Sequence, residues 1–356
     1  MSVRGREYYP IPEHLNYRLL KGLFRSMRSL QITRPRLIEI IDTPYPSLPG
    51  KGWIIVRLIH ALICGSDLPA FSGKYQFLDY PLQPGMYIHE CAGEVVESTS
   101  NRFRPEDRVV AMPHECCGLS EYYLAPEDSA VQIPDVFDNA ELAPLIQPLS
   151  TVLYAADKLG NVTNQSVTVL GGGPIGLMMT WILNMRGASA IRIIDPIRDR
   201  CEFAKTFGAS ATLAVTSTEA RALHRSNVLG FPEADICVEA VGHQQEVLND
   251  AIAFVRPEGR LLVLGIPDQP VYALEYERLL RKNLQLIASV TPNWVNYMTK
   301  AAEVLIQQER NLQPLITHRF DITSATKAYS LCEARTDGVC KALLKAGQES
   351  WKRVEE

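Results

Sequence analysis

Charge of either sign is nowhere in surplus: 36 Lys and Arg face 40 Asp and Glu over 356 residues, a net charge of −4. A nucleic-acid partner is held through an excess of positive charge, so none is expected. Long apolar runs are also missing. The longest, residues 167–183, is broken by Gly171, Gly172, Gly173, Gly176 and Pro174, whereas a bilayer span needs about 20 predominantly apolar residues in sequence. No membrane segment is expected. Cysteine is sparse, eight over the whole length, with no spacing that suggests a disulfide framework. The start, Met1-Ser2-Val3-Arg4-Gly5-Arg6-Glu7, leads into polar and aromatic residues and lacks the apolar core of a secretory leader. These absences point to a reducing cytoplasm. Internal repeats, low-complexity tracts and long linkers are absent too.

What is present has the texture of an ordinary globular protein, 46% hydrophobic and 21% charged, long enough for about two domains. In residues 14–30, Leu15, Leu19, Leu23, Met27 and Leu30 recur at helical spacing with Arg18, Lys21, Arg25 and Arg28 between them. That pattern predicts a basic amphipathic helix, packed on its own protomer or a neighbouring subunit, within an amino-terminal extension over 1–30. Short β-rich runs follow at 37–41, 53–58, 93–96, 109–112 and 122–124, with Pro and Gly between them, and predict a mainly β, barrel-like domain over 31–148. After Gln147-Pro148-Leu149 strands alternate with helices, at 167–171, 191–195, 211–215, 235–241, 260–265 and 285–290. Six such strands predict an α/β, doubly wound parallel sheet over 149–291. Residues 292–356 offer a helix from Trp294, a strand near 317–320, a helix from Ser324 and a last strand at 339–344, and are expected to return to the first domain.

Gly171, Gly173 and Gly176, with Pro174 and Ile175 between the last two, form a GxGxxG turn after a β-prone run and before a helical run at 177–185. Gly171 permits the tight turn, Gly173 lets the backbone approach a pyrophosphate at the helix N-terminus, and Gly176 lets helix and strand pack closely. Asp195 follows nineteen residues after Gly176, at the end of the next strand. It can accept hydrogen bonds from both hydroxyls of an adenosine ribose and would meet a 2′-phosphate with like charge, which favours NAD over NADP. Arg198 and Arg200 weigh the other way, because a guanidinium just beyond the strand can neutralise a phosphate. Arg200 is counted among the cofactor-binding residues.

Upstream stand Cys64-Gly65-Ser66-Asp67 and His89-Glu90. A thiolate, an imidazole and a carboxylate are donors that zinc takes at a catalytic site with one position open. Singly, each has a bland explanation, an isolated cysteine being more often a small buried hydrophobe than a ligand. Their order along the chain decides. Cys64-Gly65-Ser66-Asp67, His89-Glu90 with Gly93, Pro105-Glu106-Asp107-Arg108-Val109, Ser120-Glu121-Tyr122, Gln147-Pro148-Leu149, the glycine turn and Val238-Glu239-Ala240-Val241-Gly242 occur in succession. From about Leu30 to Ala346 the sequence resembles the medium-chain zinc-dependent alcohol dehydrogenase family, its polyol, sorbitol-type branch in particular.

The resemblance implies a GroES-like catalytic barrel beside a Rossmann domain, and a homodimer or homotetramer. It implies one catalytic zinc on Cys64, His89 and Glu90, with Gln147 as a fourth or water-bridged ligand and Asp67 orienting His89 from behind. The implied reaction interconverts a secondary alcohol, polyol-, sugar- or cyclitol-like, and its ketone with NAD. Zinc makes the hydroxyl acidic, Ser66 first accepts its proton, and the carbon-bound hydrogen leaves as hydride. Departures mark a divergent member. Pro69 stands where many members have the histidine that completes a proton relay, Ile88 and Glu106 replace glycines, and Gln147 replaces a carboxylate. The four-cysteine lobe of a structural zinc is missing, since Cys116 and Cys117 are adjacent, so one zinc is the most expected. His114, Cys116 and Cys117 are a second cluster to place, against the simpler reading of a loop shortened around Gly118. Phe71, Tyr75, Tyr87 and Trp294 are candidates for the substrate pocket. Two other functions compete: a zinc-independent quinone or enone reductase of the same superfamily, which Cys64, His89 and Glu90 argue against, and a nucleotide-binding regulatory protein with a decayed catalytic half, which Ile88 and Pro69 favour.

Overall fold

A computed structural model describes residues 25–352 apart from 76, 77, 227, 229–231 and 291. Two-residue alternation, not helical spacing, governs its first segment. Ser26–Arg34 (β1) pairs antiparallel with Leu37–Pro44 (β2) around Pro35 and Arg36, the latter at φ +62°. Leu30 and Ile32 point into the barrel core, 2% and 0% exposed. The helix expected over 14–30 is therefore corrected at its end. Met27 and Leu30 satisfy the helical stripe, but the alternation that buries Leu30 with Ile32 wins once a partner strand is available. The catalytic layer thus begins by Ser26, and the rest of that predicted helix, with Leu15, Leu19 and Leu23, lies outside the described residues.

Trp53–Leu62 (β3), Glu90–Ser98 (β4), Arg108–Ala111 (β5), Tyr122–Pro126 (β6) and Ala130–Gln132 (β7) follow. The parallel strands come next: Ser166–Leu170 (β8), Ala190–Ile194 (β9), Ala211–Leu213 (β10), Ala234–Glu239 (β11), Val255–Val263 (β12) and Gln285–Ala288 (β13). Their order is β10-β9-β8-β11-β12-β13. The chain winds outward from β8 in both directions, so a crevice opens between β8 and β11, where such sheets bind ligands. Val167, Val169, Ile236 and Val238 are fully buried, as strands covered on both faces must be. Finally Ile316–Asp321 (β14) and Lys341–Lys345 (β15) rejoin the first layer, giving a seven-stranded sheet of order β14-β15-β3-β4-β5-β7 with β6 on β3.

The helix Ile146–Leu159 joins the layers. Its buried residues Ile146, Leu149, Val152, Leu153 and Leu159 share one core with Leu62, Ala92 and Val110 of the barrel and with Val167 and Val169 of β8. Residue 148, where the sequence suggested a boundary, lies inside this helix.

Candidate active site

The site is built where β3 ends. Ile63 still bonds to the Ala342 carbonyl at 3.1 Å, and the chain then enters the tight turn Gly65–Asp67 with Cys64 at its head. Asp67 is fully buried and serves two neighbours. Its Oδ2 accepts the Cys64 amide at 2.8 Å, and its Oδ1 lies 3.0 Å from Nδ1 of His89. With Nδ1 so engaged, the ring presents Nε2, the arrangement that orients a histidine toward a metal. The register of β3 with β4 sets Glu90 directly opposite Leu62. Ligand atoms of Cys64, His89 and Glu90 consequently lie within 4.8 Å of one another, the one such cluster among the described residues.

A fourth group, not singled out in the sequence, completes the arrangement. Lys341 Nζ is 2.5 Å and 2.6 Å from the two carboxylate oxygens of Glu90 and donates to the Ile63 carbonyl at 3.3 Å. Both side chains are almost wholly buried. Burial opposes the lysine's charge, but Glu90 outweighs it, with Cys64 and Asp67 behind, and the pKa of Lys341 is raised. His89 behaves alike: burial opposes a proton, yet Asp67 and Cys64 raise its pKa well above the ordinary value. Surroundings that favour positive charge on a half-buried imidazole, with S, N and O donors converging, suit a divalent cation of zinc's softness.

The glycine turn has the shape its sequence requires. Gly171 lies at φ +99°. A Cβ at Gly176 would collide with the Gly171 carbonyl oxygen, so only glycine lets the helix Pro174–Met185 sit this close to β8. A Cβ at Gly173 would instead meet nothing nearer than Arg200 Nη1, at 3.8 Å, which leaves the helix N-terminus open to a ligand. Asp195 is 4% exposed and accepts the amides of Gly172 and Ile197, each at 2.8 Å. Arg200 Nη1 stands 3.6 Å from its Oδ2. The two half-sites meet at the head of β15: Cys340 lines a small cavity with Gly172 and Arg200, and the next residue, Lys341, holds Glu90.

Gln147 is buried in the first turn of its helix, behind the segment Ala143–Leu145 that packs on β3 and β4. Ser66 is half-buried in the turn beside Cys64, and Pro69 is buried two residues past Asp67. Tyr75 and Tyr87 are half-buried, and burial raises both pKa values first, followed by the charge of Asp67 at Tyr75 and by Cys116, Tyr75 and Asp67 at Tyr87. Phe71 is corrected: fully buried against Tyr329, ring centroids 5.2 Å apart, it belongs to the core and not to a pocket wall. Trp294 opens the helix Trp294–Gln307 and packs partly buried on the shared core. His114, Cys116 and Cys117 do not converge. His114 packs edge-on against Trp53, and the Cys117 thiol lies 3.6 Å from the Glu115 carbonyl. Glu115 and Cys116 both have positive φ, the signature of the shortened loop.

Comparison with known proteins agrees with this architecture. Residues 50–135 match the family described as alcohol dehydrogenase GroES-like domain, and residues 140–344 the one described as glucose dehydrogenase C-terminus. The chain belongs to the medium-chain zinc-dependent alcohol dehydrogenases, as a divergent member, and its class is that of the oxidoreductases. It is 26% identical over 353 residues to the starvation-sensing protein RspB of Escherichia coli K12, covering 89% of this chain and 99% of that one. Sorbitol dehydrogenase of Gallus gallus is 28% identical over 342 residues, 86% and 93% of the two chains. Among solved structures, the alcohol dehydrogenase rspB of E. coli CFT073, complexed with NADH, superposes with a TM-score of 0.74 at 24% identity, over 90% of this chain and 99% of that one. No helix among the described residues is long and apolar enough to cross a membrane.

Proposed function

We propose that this chain is a zinc-dependent dehydrogenase that moves a hydride between NAD and a secondary alcohol of polyol, sugar or cyclitol kind. The observation that carries the reading is the convergence of Cys64, His89 and Glu90 beside a dinucleotide turn, with Lys341 and Cys340 joining the two. Cys64, His89 and Glu90 would hold the metal, with Gln147 as the further or water-bridged ligand that the family resemblance implies. A zinc ion there would supply Lewis acidity toward the substrate hydroxyl, and the nicotinamide would accept the hydride.

The chain's own residues do the rest. Asp67 fixes the His89 ring and the Cys64 backbone with one carboxylate. Ser66, two residues past Cys64, would take the hydroxyl proton first. Pro69 can carry none, so the proton continues through cofactor hydroxyls or water. Gly171, Gly173, Pro174, Ile175 and Gly176 shape the pyrophosphate seat, Arg200 borders it, and Asp195 favours NAD at the ribose. The cytoplasm is the compartment we assign, and a homodimer or homotetramer the assembly.

Elemental analysis coupled to a panel of polyols with NAD tests the reading. One zinc per chain and turnover are expected, and Cys64→Ser should lose both together, since a hydroxyl is a far poorer soft ligand than a thiolate. Full turnover by zinc-free protein would sink it.

A further inference from the structure

The shortened loop carries two adjacent thiols, and its backbone fastens them beside the first residues of the His89 segment. Cys116 donates its amide to the Pro113 carbonyl at 3.1 Å and accepts the Ile88 amide at 2.9 Å. Cys117 stands opposite Ile88 in a parallel bridge. His89 is the next residue, so main-chain bonds hold the loop against the imidazole. Gly118 sets how closely: a Cβ there would lie 2.6 Å from Cys91 Sγ and 2.9 Å from Ile88 Cγ2, and a larger residue would lift the loop off β4. The two thiols have different neighbours. Cys117 turns back on its own loop, its thiol 3.6 Å from the Glu115 carbonyl, and burial pushes its pKa up to about 12, as in an inert structural cysteine. Cys116 is half-buried, and its thiol is a hydrogen-bond partner of the His89 ring.

Asp67 already takes Nδ1 of that ring, which leaves Nε2, the nitrogen presented to the ligand cluster, for Cys116. On one tetrahedral zinc a nitrogen at about 2.0–2.1 Å and a sulfur at about 2.3 Å stand about 3.5 Å apart. That is also the span of a thiol–imidazole hydrogen bond, so the contact is compatible with joint ligation. Cys116 is not one of the three donors that lie within 4.8 Å of one another, and it meets them at His89. Charge leaves room for it. Lys341 spans both oxygens of Glu90, so that carboxylate brings little net charge to a divalent ion and a second thiolate is accommodated. We propose that Cys116 is a fourth ligand of the catalytic metal, its thiolate taking the place that the family resemblance gives to Gln147. The loop that lacks the cysteine quartet of a structural zinc thereby serves the catalytic one. The inference rests on the reading that Cys64, His89 and Glu90 hold zinc.

Cobalt(II) added to the full chain tests it, because its thiolate-to-metal charge-transfer absorption grows with the number of sulfur ligands. Cys116→Ser should lose about half of the band and bind zinc about tenfold or more weakly in competition with a chelator, while Cys117→Ser changes neither. Alkylation of the unmodified protein gives a reading without any variant: iodoacetamide should label Cys116 about tenfold more slowly once zinc is added, since a ligated thiolate is no longer a free nucleophile. Labelling of Cys117 should not respond. A Cys116→Ser band as strong as the original, or Cys116 labelled equally fast with and without zinc, overturns the fourth ligand. A band that persists in Cys116→Ser and disappears in Cys64→Ser overturns it while leaving the zinc reading intact; no charge-transfer band in the unmodified protein removes both.

Discussion

At the scale of single residues, the buried pair of Glu90 and Lys341 decides how the site tolerates its own charges. Removing one partner of such a pair leaves an uncompensated charge in the interior, a loss of about 3–5 kcal/mol. Lys341→Ala should therefore lower stability by that order when a chelator is present. With zinc added the penalty should shrink, because a cation beside Glu90 would take over the neutralising role. Thermal melts in the two conditions give the answer, and an equal loss in both would show that Glu90 does not face the metal. The sequence made one side of this pair legible. Cys64, Asp67, His89 and Glu90 stand in two short segments whose residue types suggest ligands. Lys341 is 251 positions from Glu90, and no local pattern connects them. Its one signal was a lysine heading the apolar run Ala342, Leu343 and Leu344, a position where a buried charge demands a partner.

Elements were legible to the extent that their burial was uniform. The central parallel strands β8, β9 and β11 are mostly apolar and buried, and they stand out from the turns that flank them. β1 is amphipathic and short, and its nine residues carry a helical and an alternating pattern almost equally well; only β2 and the barrel beneath it distinguish them. Strand ends also depend on groups that periodicity does not reveal. Asp235, at the start of β11, accepts the amide and hydroxyl of Ser166 at 2.7 Å and 2.8 Å and the Arg256 Nε at 2.7 Å, tying β11 to β8. Burial alone would raise its pKa, but the Ser166 and Arg256 bonds lower it to about 2. A folded-state pKa below the unfolded value means stability that is present above about pH 4 and lost as the pH falls toward 2. Asp235→Asn should accordingly cost about 1–2 kcal/mol at pH 7, and the gap to the unmodified protein should close between pH 4 and 2. Urea unfolding across that range measures it; a gap that stays constant would mean that the charge of Asp235 contributes nothing.

At the scale of the whole molecule, β13 is one of the sheet edges left open among the described residues. β13 pairs with β12 on one side and, among the described residues, with no strand on the other. Its outward positions are apolar: Leu286 is 45% exposed and Val290, just beyond, 42%. Leu280 and Tyr276 on the preceding helix Tyr276–Arg281 are 57% and 65% exposed, and Val271 80%. An edge with free backbone groups and apolar side chains is a template for another strand, and monomeric proteins blunt such edges with charge or proline. A second copy related by a two-fold axis would pair β13 antiparallel with itself and extend the sheet across both chains. In that arrangement Leu286 lies close to its own symmetry mate, so Leu286→Lys would set two charges against each other in an apolar contact. The dimer dissociation constant should rise tenfold or more, about 1.4 kcal/mol at the least, and sedimentation should shift toward the monomer while far-UV circular dichroism stays unchanged. An unmodified protein already monomeric at micromolar concentration, or a Leu286→Lys protein that keeps its assembly, would place the subunit contact elsewhere on the surface.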